Sequence, residues 1–524
     1  ERQAARAFVD RMLCTIQGDG YLGIYAPDLR FPGAGENGEL WAQATLGRAL
    51  LAYVEAAHDR SHADVVLQAV TRAVDVTLDG FARLGRTTFP KDSGGGGSHG
   101  LMFVDVLDGL WRLTGEERYL SIAAVLYAEY GTSGNAERDA MPAQLLDESA
   151  RFEGHGVHTY EHLRALVMAV LAGAVSDEVL ACYMEKLSTC ITPAGGPIGD
   201  EWVRSRLADA TTTGYEFCST VEYVDSLARL MVATERLELA DAIERTCFNA
   251  AFGAWHPELP AIAYLQTDNA YSMTGNRHGV PEDGRQTRYR YSPVHREAAV
   301  CCVPNAGRLL PNLVRASVLR TDSGLVMALY LPVRVRTSVD GVEVDVAVTT
   351  EYPNDRLVQI RIACGAPHRF TLTLRKPRWA DAVEVTTPPG AHIEEYDDRI
   401  EIAHLWQQES IALQFVAVPR LVRDVEGEAH VEYGALVYSL PIESCRSVTR
   451  EYAVPGFFDL REEPANSEFE DFLLSRDVEG RIEVTSAGLR VPLRRRNSGT
   501  SEVIRVFEPL GHSALRRVTF PFAD

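Results

Sequence analysis

The sequence predicts a multidomain protein in which a toroid of paired helices is followed by β-sandwich domains. Its 524 residues, at about 150 residues per domain, suggest three to four domains. Apolar residues recur at helical spacing up to residue 319, and a period of two replaces that spacing afterwards. The helical part shows no repeat of roughly 34 or 40 residues, which favours a closed toroid over an open solenoid.

About ten segments of the first part have the apolar periodicity of amphipathic helices. Glycines such as Gly131 and Gly173 end some of them, and Ser176 with Asp177 begins another. The predicted helices span residues 1–13, 38–57, 62–84, 99–114, 116–131, 151–173, 176–191, 215–234, 236–254 and 304–319.

Apolar and polar residues alternate after residue 319, as they do in strands with one buried face. Asp340-Gly341 is a typical turn between two such runs. The predicted strands span residues 325–331, 342–348, 357–363, 370–374, 400–402, 411–416, 435–440, 482–484, 489–493 and 503–506.

Three domains follow from these patterns. Residues 1–319 are predicted to form the helical domain, and residues 320–440 a β-sandwich. Residues 441–524 alternate again and are predicted to form a smaller β-rich C-terminal domain.

Charge and hydropathy exclude two classes of partner. The chain has 52 basic and 73 acidic residues and a net charge of −21, which repels polyphosphate and leaves no basic stripe for nucleic acid. The longest apolar stretch, residues 165–175, is shorter than the roughly 18 residues of a membrane-spanning helix. We therefore expect a neutral small molecule or carbohydrate as partner, and a homodimer is compatible with the sequence.

The start of the chain and the cysteine content bear on localisation. Residues 1–13 predict a charged amphipathic helix and lack the apolar centre of a signal peptide. Because the chain starts at Glu1 without methionine, we expect the natural N-terminus to lie upstream. The nine cysteines are an odd number in a long chain, which argues against a disulfide scaffold and favours a reducing, cytoplasmic location.

The adjacent pair Cys301-Cys302 is the first candidate for chemistry. Vicinal cysteines bridge each other only with strain, so the pair would ligate a metal or act as paired thiols, or else it is two buried residues at a helix start. Glu216 and Cys218 form an E-x-C unit at the start of another predicted helix, a pattern that chance also produces. Together the four supply three thiolates and one carboxylate, a plausible tetrahedral zinc shell that tertiary structure would have to assemble.

Further motifs lie around these residues, namely GYLGIY near the start, PAGGPIGDEW before the GYEFCST segment, CCVPNAGRLLPNL, and VMALYLPV and VEYGALVYSLP in the β region. With the E-x-C unit followed by Cys-Cys-x-Pro-Asn, they resemble glycoside hydrolase family 127, the β-L-arabinofuranosidase-type family. The resemblance extends over about residues 20–440. It implies an (α/α)6 barrel followed by β-sandwich modules.

The resemblance also implies a retaining glycosidase that acts on a terminal β-L-arabinofuranoside or a related furanoside. Carried over to this chain, Glu216, Cys218, Cys301 and Cys302 hold a zinc ion, and Cys301 is also the nucleophile. Zinc coordination lowers the pKa of a thiol and makes the thiolate available. Its attack on the anomeric carbon gives a thioglycosyl-enzyme intermediate, which water resolves with net retention.

Such a reaction needs a carboxylic acid that protonates the leaving oxygen and later deprotonates water. The family carries this acid/base a short distance before its E-x-C unit, after a glycine-rich turn. Glu201 is preferred, and Asp200 is the alternative, because a one-residue gap costs less than replacing a glutamate whose reach sets the geometry of proton transfer.

Histidines are the candidate sugar contacts. His99 and His155 lie where the family carries active-site histidines, and for each the alternative is a capping or core role. His158 follows His155 by one helical turn and is expected on the same face. Trp41, Trp202, Tyr291 and His295 could line a pocket or pack between helices, and the sequence assigns them no role.

Two local features qualify this interpretation. Thr45 stands where a further family histidine is expected, and the missing imidazole weakens the assignment to β-L-arabinofuranose. The glycine run 94–97 lacks the Gly-Lys-Ser/Thr of a phosphate loop and is predicted to be a flexible active-site loop.

Three other functions stay open on the sequence alone. The same mechanism could act on a different sugar or a glycosylated natural product. A non-catalytic carbohydrate-binding protein could use zinc only to stabilise its fold. A polysaccharide lyase would need a group that neutralises a uronate, and no clear basic cluster favours one.

Overall fold

The computed structural model describes residues 2–35, 38–90, 94–134, 136–277, 287–294, 296, 301–424, 427–496 and 501–523. The chain divides into two compact units. Unit 1 comprises Glu1–Ser188 and Trp202–Ser205, and unit 2 comprises Thr189–Glu201 and Arg206–Asp524.

Unit 1 is built from helices joined by loops and turns. Its helices are α1 (Arg2–Leu13), α2 (Glu39–Ala56), α3 (Arg60–Arg83), α4 (Gly94–Gly100), α5 (Val104–Thr114), α6 (Arg118–Thr132), α7 (Pro142–Leu145), α8 (Gly156–Glu161), α9 (Leu163–Leu171) and α10 (Asp177–Ser188).

Local sequence explains where several of these helices begin and end. The Asp59 carboxylate accepts a hydrogen bond from the backbone N–H of His62 and caps the start of α3. Gly115 ends α5 with a φ of 72°, in the left-handed region that glycine adopts without strain. Residues 163–169 of α9 are all buried, because a helix that is apolar around most of its circumference lies inside a protein.

The helices predicted for unit 1 are confirmed, with three differences. The helix predicted over 151–173 begins only at Gly156 and is divided at His162 into α8 and α9. The glycine run predicted as a loop lies in α4, which continues through the 3-10 turn Leu101–Phe103 into α5. Leu101, Met102 and Phe103 are all buried, so packing of the following turn offsets the low helix propensity of glycine. The short helix α7 was missed because four residues carry no periodicity.

Unit 2 contains three further helices in the described residues, α11 (Phe217–Thr234), α12 (Leu239–Arg245) and α13 (Cys302–Arg315). A π-helical turn, Thr246–Ala251, and a 3-10 turn, Phe252–Ala254, follow α12 directly. The helix predicted over 304–319 corresponds to α13. It starts two residues earlier than predicted and ends at Arg315, because Val318–Thr321 forms a strand.

The named strands of the described residues all belong to unit 2. They are β1 (Tyr215–Glu216), β2 (Ile262–Ala263), β3 (Leu265–Gln266), β4 (Tyr291–Ser292), β5 (Val318–Thr321), β6 (Gly324–Met327), β7 (Arg334–Val339), β8 (Val342–Thr350), β9 (Leu357–Arg375), β10 (Ala382–Thr386), β11 (His392–Glu395), β12 (Arg399–Val416), β13 (Arg420–Arg423), β14 (Ala429–Tyr433), β15 (Leu436–Pro441), β16 (Ser444–Glu451), β17 (Phe458–Pro464), β18 (Phe472–Leu474), β19 (Glu483–Thr485), β20 (Gly488–Arg495), β21 (Glu502–Pro509) and β22 (Arg516–Arg517).

A first large sheet contains β5 to β12, with the path β10-β12-β9-β6-β5. The long strands β9 and β12 pair antiparallel, with an irregularity between Trp406 and Gln408, while β6 runs parallel to β9. In the turn between β7 and β8, Asp340 and Gly341 have φ values of 47° and 79°. Positive φ at both central residues is the type I′ geometry of two-residue hairpins, which confirms the predicted turn.

A second large sheet follows the path β13-β14-β15-β21-β20-β18, and smaller sheets pair β16-β17-β4-β2 and β1-β3. The predicted strands are confirmed, although 325–331 is a strand only as far as Met327, 357–363 merges with 370–374 in β9, and 400–402 merges with 411–416 in β12. Several strands lie outside the predicted ranges, among them β7, β10, β16 and β17. β16 is exposed over nearly its whole length and therefore lacks alternation.

The chain is thus of mixed helical and β content, with a β-rich C-terminal region. In the described part of the chain, no helix has both the length and the apolar character that a membrane crossing requires.

Candidate active site

The four candidate ligands lie at the starts of two helices of unit 2, α11 and α13. Glu216 ends β1 and is the N-cap residue of α11, where Cys218 is the second residue. Cys301 is the N-cap residue of α13, and Cys302 is its first residue. Helix starts hold these side chains on short, fixed segments of backbone.

The four side chains come together as the sequence predicts. The Sγ atom of Cys301 lies 3.2 Å from Oε1 of Glu216, and the Sγ atoms of Cys218 and Cys302 are 3.4 Å apart. One ligand atom from each of the four lies within 4.8 Å of the others. Glu216, Cys218 and Cys302 are buried, whereas Cys301 is half-buried.

Burial controls the ionisation of this cluster. It raises the pKa of Glu216 and of Cys218 and Cys302 above their ordinary values. Hydrogen bonds from Cys218 and Cys302 hold the pKa of Cys301 far below its usual value. Among the three thiols of the cluster, Cys301 is therefore the one whose surroundings favour the thiolate most.

The donor set fits a divalent transition metal. Oε2 of Glu216 is buried and has no hydrogen-bond partner among the described residues, which is costly for a carboxylate unless a cation or proton satisfies it. Ligands at about 2.3 Å in a tetrahedron have sulfur atoms about 3.8 Å apart, and the sulfur atoms of Cys218 and Cys302 lie 3.4 Å apart. Asn305 donates to the Sγ of Cys218 at 3.2 Å and holds that sulfur in place.

Glu201 lies in the same unit and is paired with an arginine. Nη1 of Arg288 donates to Oε1 of Glu201 at 2.5 Å, and the guanidinium group lies 4.5 Å from the ring centroid of Tyr264. The Tyr264 hydroxyl in turn helps to lower the pKa of Cys301. Glu201 has a φ of 76°, a strained value for a residue with a side chain, and such strain is concentrated at functional positions.

Asp200, the alternative acid/base, is held by other side chains. It accepts hydrogen bonds from Arg206 and, at 3.2 Å, from the hydroxyl of Tyr289, and Arg277 lies 3.6 Å away. This environment suits an anchoring role.

A buried aspartate fixes the backbone around these residues. Asp268 accepts hydrogen bonds from the Tyr215 hydroxyl at 3.0 Å, the Thr192 hydroxyl at 2.9 Å and the backbone N–H of Ala194 at 2.8 Å. Gly199 forms a parallel bridge with Tyr215. The turn that leads to Glu201 is thereby tied to the strand that carries Glu216.

Sequence reasoning missed Tyr264, Arg288, Asp268 and Asn305. Asn305 had a usable signal, because it lies in the Cys-Cys-x-Pro-Asn motif one turn after Cys301. The other three are distant in sequence from the motifs and carry no local pattern.

The two predicted sugar contacts, His99 and His155, adjoin a third histidine in unit 1. His158 lies between them, with ring centroids 4.3 Å from that of His99 and 4.8 Å from that of His155. Nε2 of His99 is 3.2 Å from Nε2 of His158, and Nδ1 of His99 is 3.3 Å from Oε1 of Glu161. Nδ1 of His158 is 2.6 Å from Oε1 of Glu137, so both nitrogens of His99 and of His158 have partners.

Two further candidates, Thr45 and Tyr291, have defined hydrogen bonds in the structure. The hydroxyl of Thr45 bonds to the backbone carbonyl of Trp41, at 3.0 Å, within α2. Tyr291 is buried and donates to the carbonyl of Ala514 at 3.1 Å. His295 lies outside the described residues.

Two family models match most of the chain. The family model of the GH127 β-L-arabinofuranosidase catalytic domain matches residues 2–315, and that of the GH127 middle domain matches residues 324–415. No curated protein matches the chain.

Three solved structures share the fold. A GH127 β-L-arabinofuranosidase from Geobacillus stearothermophilus T6 is 19% identical, with a TM-score of 0.70 over 99% of this chain and 86% of that chain. A protein described as a glycoside hydrolase is 16% identical, with a TM-score of 0.71 over 99% of this chain and 88% of that chain. The GH127 β-arabinofuranosidase BT3674 is 17% identical, with a TM-score of 0.70 over 100% of this chain and 84% of that chain.

Proposed function

This chain belongs to glycoside hydrolase family 127 and is therefore a glycosidase, and we propose that it removes a terminal sugar with retention through a zinc-bound cysteine nucleophile. The observation that carries the proposal is the convergence of Glu216, Cys218, Cys301 and Cys302 within 4.8 Å. The orphaned carboxylate oxygen of Glu216 supports a cation at this point.

Zinc suits the donor set, since three thiolates and one carboxylate match its preference for soft and borderline ligands in tetrahedral sites. When bound, it would keep the coordinated thiols deprotonated at neutral pH. Glu216, Cys218, Cys301 and Cys302 would be its ligands.

Cys301 is the nucleophile in this proposal. It is the half-buried member of the four, so a substrate can reach its sulfur while the other three stay enclosed. Its thiolate attacks the anomeric carbon, and the new C–S bond replaces the bond to the leaving oxygen, while the hydroxyl of Tyr264 helps to keep the pKa of Cys301 low.

Glu201 is the proposed general acid/base. It would give a proton to the leaving oxygen and then take one from the water that breaks the C–S bond. Its strained backbone and its contact with Arg288 set it apart from the anchored Asp200. Arg288 would orient the carboxylate and stabilise its ionised form in the second step.

We assign His99 and His155 to the sugar and expect a terminal β-L-arabinofuranoside or a related furanoside as substrate. Thr45, which bonds to its own helix, offers no imidazole to a sugar hydroxyl, so a different furanoside is the main alternative. The fold proposed with this function is an (α/α)6 barrel over residues 1–319, a β-sandwich over 320–440 and a C-terminal β-rich domain over 441–524, in a cytoplasmic protein.

Product stereochemistry tests the proposal. With 4-nitrophenyl β-L-arabinofuranoside in the presence of methanol, we expect proton NMR to show the β-configured methyl glycoside as the first transfer product, which retention requires. Cys301→Ala should abolish turnover, whereas Cys247→Ala, a change at another buried cysteine of unit 2, should keep it. A first product of α configuration, or an active Cys301→Ala protein, would contradict the mechanism.

A further inference from the structure

Helices α11 and α13 of unit 2 share a set of polar side chains that the proposed mechanism does not use. Each helix begins with a candidate ligand, Cys218 as the second residue of α11 and Cys302 as the first residue of α13, and the two helices pack against each other. About one turn beyond these cysteines lie Glu222 on α11 and Asn305 on α13, and Arg308 follows after a further turn of α13. Polar groups between packed helices are costly unless they find partners.

The amide of Asn305 is engaged at both ends. Its Nδ2 donates to the Sγ atom of Cys218 at 3.2 Å, and its Oδ1 accepts from Nη1 of Arg308 at 3.1 Å. A guanidinium group offers only donors, and a sulfur that ligates a metal offers only an acceptor. One orientation of the amide satisfies both partners, because the reverse orientation would place its oxygen against the sulfur and its NH₂ group against the arginine.

Arg308 is itself held by carboxylates of the opposite helix. Nη1 of Arg308 donates to Oε1 of Glu222, and Nη2 lies 3.8 Å from Oδ2 of Asp225. The side chains of Glu222 and Asp225 are only 4% and 5% exposed. A carboxylate buried this deeply is costly without a counter-charge, so these pairs keep the guanidinium group against α11.

The contacts connect the two helices at two levels. Asn305 of α13 reaches Cys218 of α11, and one turn further along, Arg308 of α13 reaches Glu222 of α11. Two links one turn apart fix both the sliding and the rotation of one helix against the other. We call Asn305, Arg308 and Glu222 the interhelix clamp.

The register that the clamp fixes is the one that a metal site needs. The Sγ atoms of Cys218 and Cys302, one from each helix start, lie 3.4 Å apart. Ligands must be held to within about 0.5 Å of their working positions. Hydrogen bonds from outside the ligand set orient the ligands and raise the affinity for the metal.

We propose that Asn305 is the positioning residue of the Cys218 sulfur, and that Arg308 and Glu222 fix Asn305, so that the metal affinity of the site depends on the interhelix clamp. This inference rests on the proposed function, which makes Cys218 a zinc ligand. The N–H group of Asn305 points at the sulfur and balances part of the negative charge that a ligating thiolate carries.

Zinc affinity of the metal-free, reduced protein tests the clamp without any substrate. In competition with a chromophoric chelator, Asn305→Leu, which has nearly the same shape and no N–H donor, should raise the Kd for zinc about 10-fold to 100-fold. Arg308→Lys keeps one donor and should raise it less. Leu310→Ala removes a 45% exposed side chain from the same helix and should leave the Kd unchanged.

A double-variant cycle tests whether the three residues act together. Arg308→Met/Glu222→Gln removes the pair without leaving a buried charge, and it should raise the Kd because Asn305 is no longer held. Adding Asn305→Leu to this protein should change the Kd much less than it does in the wild type, since both changes act through one hydrogen bond. Fully additive effects would contradict the clamp.

Cobalt(II) absorption separates an effect on the sulfur from a general loosening of the helices. Thiolate ligands give cobalt(II) a charge-transfer band whose energy depends on the charge of the sulfur. Asn305→Leu removes the N–H donor, so at full cobalt loading its band should move to longer wavelength, while Leu310→Ala should keep the wild-type band. An unshifted band or an unchanged zinc Kd in Asn305→Leu would overturn the proposal.

The wild-type protein keeps this test distinct from that of the proposed function. If it binds zinc and Asn305→Leu binds zinc equally well, the clamp is wrong and the zinc site stands. If the wild-type protein binds neither zinc nor cobalt, the proposed function fails and the clamp fails with it.

Discussion

Cys301 differs from its three partners in the cluster in one respect that matters for chemistry. Its side chain is half-buried, while Glu216, Cys218 and Cys302 are enclosed. A nucleophile must be reached by the substrate as well as ionised. Position in the Cys-Cys pair alone gives no reason to prefer Cys301 over Cys302, so the exposure is what distinguishes a reacting sulfur from a structural one.

The first prediction concerns the acid/base. Glu201→Gln should lower kcat by about 100-fold to 10,000-fold with metal content unchanged, because an amide cannot transfer the proton. Asp200→Asn should lose far less, since Asp200 is held by Arg206 and Tyr289. Steady-state kinetics of both variants with one substrate measure this. A larger loss in Asp200→Asn would move the role to Asp200.

The second prediction is a pH dependence of stability in unit 1. Burial lowers the pKa of His162 to about 3, and its Nε2 lies 2.9 Å from the carbonyl oxygen of Ser98. The folded protein therefore keeps this imidazole neutral, whereas the unfolded chain protonates it below about pH 6.5. The stability linked to His162 is complete above about pH 6.5 and is lost progressively as the pH falls towards 3, by up to about 1.4 kcal/mol per pH unit.

Denaturant unfolding at pH 7.5 and pH 5 checks this, with His162→Gln as the comparison. The variant should be less stable at pH 7.5, because it loses a well-packed buried ring, and its stability should fall less between the two pH values. An equal fall in both proteins would show that His162 does not contribute to the pH dependence.

At the scale of elements, a buried ion pair joins α12 to β9 within unit 2. Arg375 contacts Glu244 at 2.5 Å and Asp241 at 2.7 Å, and the side chains of Arg375 and Glu244 are each 1% exposed. The hydroxyl of Tyr352 donates to the other oxygen of Glu244 at 2.6 Å. A charge that is buried this deeply depends on its partner.

The third prediction follows from that pairing. Arg375→Met should lower the free energy of unfolding by about 3–5 kcal/mol, because it leaves Glu244 buried without its counter-charge. The double variant Arg375→Met/Glu244→Gln should recover part of the loss, since it removes both charges. Equilibrium denaturation of the three proteins measures it, and a double variant less stable than Arg375→Met would contradict the explanation.

Which elements could be predicted depends on the length over which a pattern repeats. α3, with several turns and a consistent apolar face, was predicted closely, as were β8 and β20. The single helix predicted over 151–173 instead forms two, α8 and α9. The exposed strand β16 and the four-residue helix α7 carry no periodicity. The glycine run is helical because the turn that follows it is buried. Tertiary packing therefore determines its conformation, and local helix propensity does not.

At the scale of the whole molecule, the candidate site is assembled from segments far apart in sequence. The E-x-C unit and the Cys-Cys pair could be found as motifs, and their residue types suggested one zinc shell, whereas the nucleophile and the acid/base came only from the family resemblance. Tyr264, Arg288 and Asp268 could not be found, because they reach Cys301, Glu201 and Tyr215 only after the chain has folded. The helical and β-rich regions, by contrast, follow directly from the change of period near residue 319.

Metal content tests the central claim most directly, because it does not depend on the choice of sugar. Elemental mass spectrometry of the reduced wild-type protein should find about one zinc per chain, retained in Cys247→Ala and lost in Cys218→Ala. Cys247 is buried in the same unit and is a matched control. Well-folded wild-type protein that contains no zinc, and takes up none when zinc is supplied, would contradict the account.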